Sequence, residues 1–300
     1  MFIRNVTMFQ FSPVIDWSQV EKLLPLSQLQ PVGALELSSR GFISPYGRES
    51  GAALSHRSGA FLWLAIGTES KIIPDASVNE MLETRLQALE AKGRQPGGRE
   101  RRRMKDDLLH ELLPRALVKS ARVDMFVDTQ RGIAFVDTSS STVASDAVSE
   151  VRGLLGSFPA SRLRAAVAPR SVLTGWVAGE QLPAGLSLGE ECELRDPVEG
   201  GATIRCQHQE LRCDEVEKHL EAGKQVYRLA LIMEDTLSFV ISDDLVIRKL
   251  KFLDGAFDSL AELAEDEQRQ ELDARFALQT GQLSRLFDVL QVTFQLEEEA

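Results

Sequence analysis

Hydrophobic and polar residues alternate near the start of the chain, in the segment FIRNVTMFQF at 2–11. A period of two is typical of a β-strand, so a strand is predicted there. A short helix is predicted at 16–24, and the Gly-, Ser- and Pro-rich residues 32–59 favour short strands and loops. The continuous apolar run Ala60–Ile66 has the length of a strand that is buried on both faces.

Two apolar stripes with helical spacing follow, and they predict a pair of helices. The first helix opens at Pro74 and the second begins near Arg99; their stripe residues are Val78, Met81, Leu82, Leu86 and Leu89, and then Leu108, Leu109, Leu112, Leu113, Ala116 and Leu117. The segment GRQPGG at 93–98 cannot propagate a helix, so residues 76–118 are predicted to form an antiparallel helical arm. Pro114 is expected to kink or restart the second helix just before Arg115 and Lys119.

The remaining pattern mixes strands and helices. A β-hairpin is predicted at 123–128 and 133–137, followed by a helix at 142–155 that Gly156 closes and a short helix at 171–177. A second α+β unit begins near Leu186, with strands at 202–208, 225–233, 236–241 and 245–253, a helix at 214–222 and acidic helices at the end. We therefore predict an α+β fold with a central α/β region (1–75 and 119–165), the arm (76–118) and an α+β base domain (166–300).

Composition narrows the class of protein. The chain has 300 residues, 43% of them hydrophobic and 26% charged, which is ordinary for a globular protein. Its three cysteines are too few for a disulfide framework, so a reduced cytoplasmic protein is expected. The sequence contains no run of about 18 apolar residues, so no membrane partner is expected.

Positive charge is concentrated locally although the formal net charge is −11. Between Lys92 and Lys105 there are seven basic residues and one acid, a local charge of +6, whereas residues 254–300 carry −9. A second basic group lies on predicted strands, where Lys224 and Arg228 are expected to share a face and Arg248, Lys249 and Lys251 add charge nearby. Such local fields suit a polyanion, but solvated charge runs balanced by the acidic helices explain the same pattern.

Two motifs are candidates for a catalytic or metal site, and neither fits. Cys206, His208, Cys213 and His219 are zinc-ligand types, but the last two are expected to diverge around a helix start. Pro74-Asp75 with Glu90 and Lys92 is similar to a nuclease signature, but its second half falls at the end of a helical pattern rather than at a strand end. We therefore expect no enzymatic activity, no catalytic residue, no metal and no cofactor.

Several stretches, in order along nearly the whole chain, resemble the RdgC family of bacterial recombination-associated proteins. The main ones are LLHELLPRAL at 108–117, TIRCQHQEL at 203–211, HLEAGKQVYRLAL at 219–231 and RKLKF at 248–252. The opening segment 2–11, KIIP at 71–74 and LTGWV at 173–177 also match. The match rests on the shared order of these segments rather than on any single motif.

The resemblance implies a nucleoid-associated protein that binds double-stranded DNA with little sequence preference. It further implies a horseshoe-like subunit and a ring-shaped homodimer that encircles DNA and restrains the RecA recombinase by occupying DNA. Direct contact with RecA and binding of single-stranded DNA stay open. Residues facing DNA or the ring opening carry over to Arg115, Gln209 and Lys224, and we add Lys119, His208 and Arg228 as DNA-binding candidates.

Two positions depart from the family pattern. Leu117 stands where the family can have a phenylalanine that plugs the gate between the two arms of the dimer, and leucine is smaller and cannot stack. His208 stands where the family has a lysine, and histidine is mostly neutral at pH 7, so weaker DNA binding is expected. A protein-interaction scaffold without DNA binding and a metal-dependent nuclease are the two alternative functions.

Overall fold

The computed structural model describes residues 2–47, 52–198, 201–257 and 268–297. The chain divides into two compact units. The first unit contains residues 1–21, 55–64 and 123–300, and the second contains 22–54 and 65–122. No helix within the described ranges combines the length and the apolar character that crossing a membrane requires.

Twelve strands and eight α-helices lie in the described residues. The strands are β1 Thr7–Gln10, β2 Ser38–Ile43, β3 Ser55–Ser58, β4 Phe61–Ile72, β5 Leu117–Asp128, β6 Ile133–Val136, β7 Ser161–Arg162, β8 Leu186–Arg195, β9 Thr203–Gln207, β10 Gln225–Met233, β11 Leu237–Ser242 and β12 Ile247–Phe252. The helices are α1 Val20–Leu23, α2 Asp75–Glu90, α3 Gly98–Leu112, α4 Ser141–Leu155, α5 Pro169–Val177, α6 Asp214–Glu221, α7 Asp254–Phe257 and α8 Gln268–Phe294, with 3₁₀ turns at Leu24–Ser27 and Leu113–Arg115. The predicted α+β class is confirmed.

The predicted β-hairpin is present in the first unit. β5 pairs antiparallel with β6 from Met125↔Val136 to Asp128↔Ile133. The Asp128 carboxylate accepts hydrogen bonds from the backbone N–H groups of Gln130 and Arg131 at 3.1 and 3.0 Å, which fixes the turn. Gly132 completes it with a left-handed φ of 70°. β1 lies between β6 and β7 and pairs antiparallel with both.

A second sheet in the same unit has the strand order β12-β11-β10-β8-β9, and every neighbouring pair is antiparallel. One face of this sheet is apolar, with Val226, Leu229, Leu231 and Met233 of β10 buried. These residues share a hydrophobic cluster with the apolar stripe of α8, namely Leu283, Leu286, Phe287, Leu290 and Phe294. The packing leaves the other face of the sheet available for polar and charged side chains.

The second unit contains the predicted helical arm. α2 begins after Pro74, which is its N-cap residue, and α3 begins after Gly97. The Arg85 guanidinium on α2 lies 2.5 Å from the Glu111 carboxylate on α3, and Arg94 of the connecting segment lies 2.6 Å from Glu100. The two helices pack against each other and are joined only by residues 91–97, so they run antiparallel. Exposed ion pairs of this kind contribute little stability, so the buried Val78, Leu86 and Leu108 side chains account for the packing.

The prediction for the segment after Pro114 is wrong. The helix does not restart there: α3 ends at Leu112, a 3₁₀ turn follows, and β5 begins at Leu117. Pro114 lacks a backbone N–H and so cannot continue the α-helical hydrogen bonds, and the alternating segment LVKSARVDMFV then favours an extended chain. Leu117 and Lys119 therefore lie on a strand, and Leu117 is not part of a helical stripe.

Smaller differences concern where elements begin and end. The first strand starts at Thr7 rather than at residue 2, and the first helix is the single turn Val20–Leu23. β4 continues well beyond the apolar run, to Ile72. β9 ends at Gln207, one residue before the predicted end, and this changes the position of His208.

Replacing Gly132 with alanine is expected to destabilise the protein. A β-carbon would be held in a left-handed conformation and would collide with the carbonyl oxygen of Phe11. We expect the free energy of unfolding to fall by about 2 kcal/mol or more. Gly153 of α4 is the control, because it is exposed and its β-carbon would meet open space, so Gly153→Ala should raise stability by about 0.5–1 kcal/mol. Denaturant unfolding of both variants tests this, and equal stabilities would contradict it.

Candidate functional site

The predicted DNA-binding residues fall into both units. Arg115, Leu117 and Lys119 belong to the second unit, where all three are exposed. Arg115 ends the 3₁₀ turn after α3, and Leu117 is the first residue of β5 with 76% of its surface accessible. All six residues of β5 from 117 to 122 are exposed, so this part of the strand is available for contact on both faces.

The other predicted residues belong to the first unit. His208 and Gln209 follow β9, and His208 is exposed with a left-handed φ of 56°. Because β9 ends at Gln207, His208 does not share a strand face with Ile204 and Cys206. Lys224 lies just before β10, where its backbone N–H donates to the carbonyl of His219 at 3.1 Å, and its side chain is half-buried.

The strand register separates Lys224 from His208. Gln225 is opposite Arg195, and Arg195 is opposite Thr203, so Lys224 lies beyond the end of the sheet where β9 begins. His208 lies beyond the opposite end of β9. The separation along the strand direction is about 15 Å at about 3.3 Å per residue. These two candidates therefore cannot touch the same phosphate group.

The structure corrects the placement of Arg228. Strict alternation would put Arg228 on the face of Val226, which is buried, but the pairing of β10 with β8 is irregular between Val226 and Arg228. This β-bulge at Tyr227 shifts the alternation, so buried positions continue at Leu229. Tyr227 and Arg228 both lie away from the apolar face. The expectation that Lys224 and Arg228 share a face of one strand is wrong, because Lys224 also precedes the strand.

Arg228 belongs to a cluster of arginines around one carboxylate, which the sequence analysis missed. Glu193 of β8 is buried, with 4% of its side chain accessible. Its carboxylate accepts hydrogen bonds from Arg195 (Nε, 2.7 Å), Arg205 (Nε, 3.1 Å) and Arg228 (Nη1, 3.4 Å). Burial opposes ionisation of Glu193, but the bond from Arg195 and the charges of Arg228 and Arg195 outweigh it, so its pKa is lowered.

Tyr227 of β10 links this cluster to Arg170 of α5. The guanidinium carbon of Arg195 lies 4.8 Å from the centre of the Tyr227 ring, and that of Arg170 lies 4.4 Å from it. Arg170 also donates from Nε to Asp243 at 2.8 Å. Cation–π contacts and a carboxylate partner restrict the arginine side chains. In the sequence, the charged residues Glu193 and Arg195 flank the apolar Leu194, which is the alternation of a strand with one charged face. This signal was available, but the strand β8 was not predicted.

The zinc hypothesis finds no support in the geometry. Cys206 is buried on β9 opposite Cys192, whereas His208 is exposed outside the strand. Burial raises the pKa of the Cys192 thiol, and Cys206 beside it raises it further, so this cysteine behaves as a small apolar residue. Across the described ranges, no group of three or more His, Cys, Asp or Glu side chains could hold a metal ion.

The nuclease-like motif is also dispersed. Asp75 is the first residue of α2 and Glu90 is its last. At about 1.5 Å per residue their backbones lie about 22 Å apart, too far to share a metal ion. The two pieces of that motif therefore do not form one site.

Comparison with known proteins agrees with the resemblance in the sequence. A model of a family described as "Putative exonuclease, RdgC" matches residues 1–297. A protein of Stenotrophomonas maltophilia (strain R551-3) named "Recombination-associated protein RdgC" is 63% identical over 299 residues, which cover 99% of each chain. Proteins with the same name from Xanthomonas axonopodis pv. citri (strain 306) and Xanthomonas campestris pv. campestris (strain B100) are 59% and 60% identical over the same 99% of each chain. The chain therefore belongs to the RdgC family.

Proposed function

We propose that the protein binds double-stranded DNA without sequence specificity and acts in DNA recombination. The observation that carries the proposal is the group of three arginines on the second sheet, whose charge exceeds that of the single carboxylate they share. The names of the relatives, which refer to recombination, point in the same direction.

The chemistry of the cationic residues favours contact with phosphates over reading of bases. Arginine presents a planar fork of donors that matches phosphate oxygens, and lysine supplies a point charge. Contacts to phosphates release counterions and carry no sequence information. Arg115 and Lys119 in one unit, and Arg205, Arg228 and Lys224 in the other, supply such groups. Gln209 and His208 add hydrogen-bonding groups near the end of β9.

The proposal includes a homodimer that closes into a ring of two horseshoe-like subunits around duplex DNA. The exposed Leu117 and Val118 at the start of β5 are apolar residues that a second copy would cover. In a two-fold interface each residue occurs twice, so a small apolar contact can close the ring. A ring on DNA in the nucleoid would restrain RecA by occupying its substrate.

The proposal assigns no catalytic reaction to the chain, whereas the family description names an exonuclease. One experiment separates the functions. Purified protein is mixed with supercoiled plasmid and with linear duplex, with and without magnesium, and the products are examined on native and denaturing gels. Retarded but intact DNA supports the proposal. Nicked or shortened DNA that depends on magnesium would establish a nuclease, and no retardation would favour a protein-interaction scaffold.

The dependence of duplex affinity on salt concentration gives the first prediction from the proposed function. If roughly six or more phosphates are contacted, affinity for duplex DNA should fall by about 10³ between about 50 and 200 mM salt. Fluorescence anisotropy with a labelled duplex at four salt concentrations measures the slope. An affinity that does not change with salt would show that the proposed arginines and lysines do not contact phosphates.

Charge removal at single lysines gives the second prediction. Lys119 and Lys224 are changed separately to Gln, and each change removes two positive charges from a dimer. The slope of log affinity against log salt should become shallower by about 2 for each variant, because one counterion is released per contact. Lys22→Gln is the control, since Lys22 is exposed on α1, outside the proposed contacts. Slopes that are equal in all three variants would contradict the assignment.

Truncation of Leu117 gives the third prediction. Because the side chain is 76% accessible in the chain, Leu117→Ala should change the free energy of unfolding by no more than about 0.5 kcal/mol. It should nevertheless weaken the ring closure by roughly 1–3 kcal/mol and speed dissociation from closed circular DNA. Dissociation from short linear fragments, which slide out of a closed ring, should hardly change.

The matched control for this experiment is Val292→Ala, which removes an equally exposed apolar side chain from α8. Lifetimes are measured by challenge with excess competitor DNA, and the mass of each variant is measured by light scattering. Unchanged lifetimes on circles, or a monomeric Leu117→Ala variant, would overturn the role of Leu117 as the gate.

A further inference from the structure

A cavity of about 220 Å³ opens on the polar face of the second sheet, within the first unit. Its lining comes from all five strands: Glu191, Cys192 and Glu193 of β8, Arg205 and Gln207 of β9, Arg228 of β10, Val240 of β11, and Arg248 and Lys249 of β12. The register brings these residues together, since Glu193 is opposite both Arg205 and Arg228, and Val240 is opposite Arg248. The cavity is therefore built on paired strands rather than on loops.

The charges in the cavity do not cancel. Four cations and two carboxylates line it, which leaves two positive charges. Lys249 is paired with Glu191, with Nζ 2.7 Å from both carboxylate oxygens. Arg205 and Arg228 share Glu193 with Arg195, so one carboxylate faces three guanidinium groups. An additional anion would relieve this excess.

The arginines also have donors to spare. Arg205 reaches Glu193 through Nε alone and Arg228 through Nη1 alone. Each guanidinium carries five N–H donors, so the remaining groups are available to a ligand with several acceptor oxygens. Neither guanidinium group donates a further hydrogen bond to the part of the chain that the structure describes.

Arg248, one of the four cations that line the cavity, lies in surroundings that disfavour its charge. Its side chain is only 23% accessible and donates to the Ser242 hydroxyl. Burial lowers the pKa of Arg248, and the nearby charges of Arg228 and Arg162 lower it further against the opposing effect of Asp244, which lies 3.9 Å away. A half-buried cation that is repelled by its neighbours is costly in the free protein. A bound anion would offset part of that cost.

We propose that this cavity is a binding site for a dianionic phosphate group, either inorganic phosphate or a phosphate monoester. A phosphate monoester carries a charge near −2 at neutral pH, which matches the two excess positive charges, and it presents three terminal oxygens to the arginine donors. An internal phosphodiester of DNA carries a single charge and is less well matched. The site shares Arg205 and Arg228 with the proposed duplex contacts, but free phosphate is itself a ligand, so phosphate binding and duplex binding are tested separately.

The test uses inorganic phosphate and dimethyl phosphate as probes of the full-length protein in isothermal titration calorimetry at constant ionic strength. We expect one saturable phosphate site per chain and at least tenfold weaker binding of dimethyl phosphate, which is a monoanion. Affinity for inorganic phosphate should rise between about pH 6 and 8.5, across the second ionisation of phosphate, because the dianion is the form that matches the two excess positive charges. Equal binding of the two probes, or no heat up to about 20 mM phosphate, would overturn the proposal.

Two variants and a matched control locate the site. Arg228→Gln and Arg248→Gln should each lower phosphate affinity at least tenfold. Lys251→Gln removes one positive charge from β12, the strand that also carries Arg248, but Lys251 does not line the cavity. The phosphate affinity of this control variant should stay within about twofold of that of the unaltered protein. Circular dichroism checks that each variant folds. If one of the two arginine variants does not fold, the other still tests the site. Equal losses in all three variants would mean a general charge effect and no site.

A pair of DNA probes identifies the source of the phosphate. Short duplexes that carry either a 5′-phosphate or a 5′-hydroxyl are compared on the unaltered protein and on Arg228→Gln. Tighter binding of the phosphorylated duplex that disappears in the variant would assign the site to DNA ends. Equal binding of both duplexes, with phosphate binding intact in calorimetry, would assign it to small free phosphates. If duplex binding fails but phosphate still binds, the proposed function is wrong and the cavity assignment stands.

Discussion

One buried carboxylate determines how the charged face of the second sheet is arranged. Glu193 is almost inaccessible to solvent, and a buried charge is stable only when partners surround it. Arginines from β8, β9 and β10 supply that compensation with hydrogen bonds to its two oxygens. The same contacts fix the guanidinium groups in place and leave their other donors pointing away from Glu193. Breaking this arrangement by removing Glu193 would leave several cations without a counter-charge.

Local departures from regular β-structure decide which residues join this face. The bulge at Tyr227 turns both Tyr227 and Arg228 away from the apolar side of β10, which alternation alone would not allow. Lys249 has a left-handed φ of 53° in β12 and still reaches Glu191 on β8. Such irregularities are costly in isolation, and the surrounding pairing stabilises them. The cavity lined by Arg228, Arg248 and Lys249 depends on them.

Helices and hairpins that are determined by nearby residues could be predicted from the sequence. Features that depend on the pairing of strands far apart in the sequence could not. The helical arm followed from two stripes and a Gly/Pro turn, and the hairpin after Val123 from its turn residues. The start of β5 was missed because the apolar residues near Pro114 fit a helix equally well. In the Glu193 cluster, Arg205 and Arg228 lie 12 and 35 positions after Glu193 in the sequence. No local sequence pattern encodes the pairing of their strands. The roles of Arg115, Leu117, Gln209 and Lys224 came from the family resemblance and stay predictions.

The central claim is that exposed arginines and lysines bind duplex DNA through its phosphates and do not read its bases. The most direct test is the dissociation constant for two duplexes of the same length and unrelated sequence, measured at the same salt concentration. The account predicts values that agree within about threefold, because phosphate spacing does not depend on sequence. A preference of about 10³ or more for one duplex, which is the range of sequence-specific proteins, would contradict it.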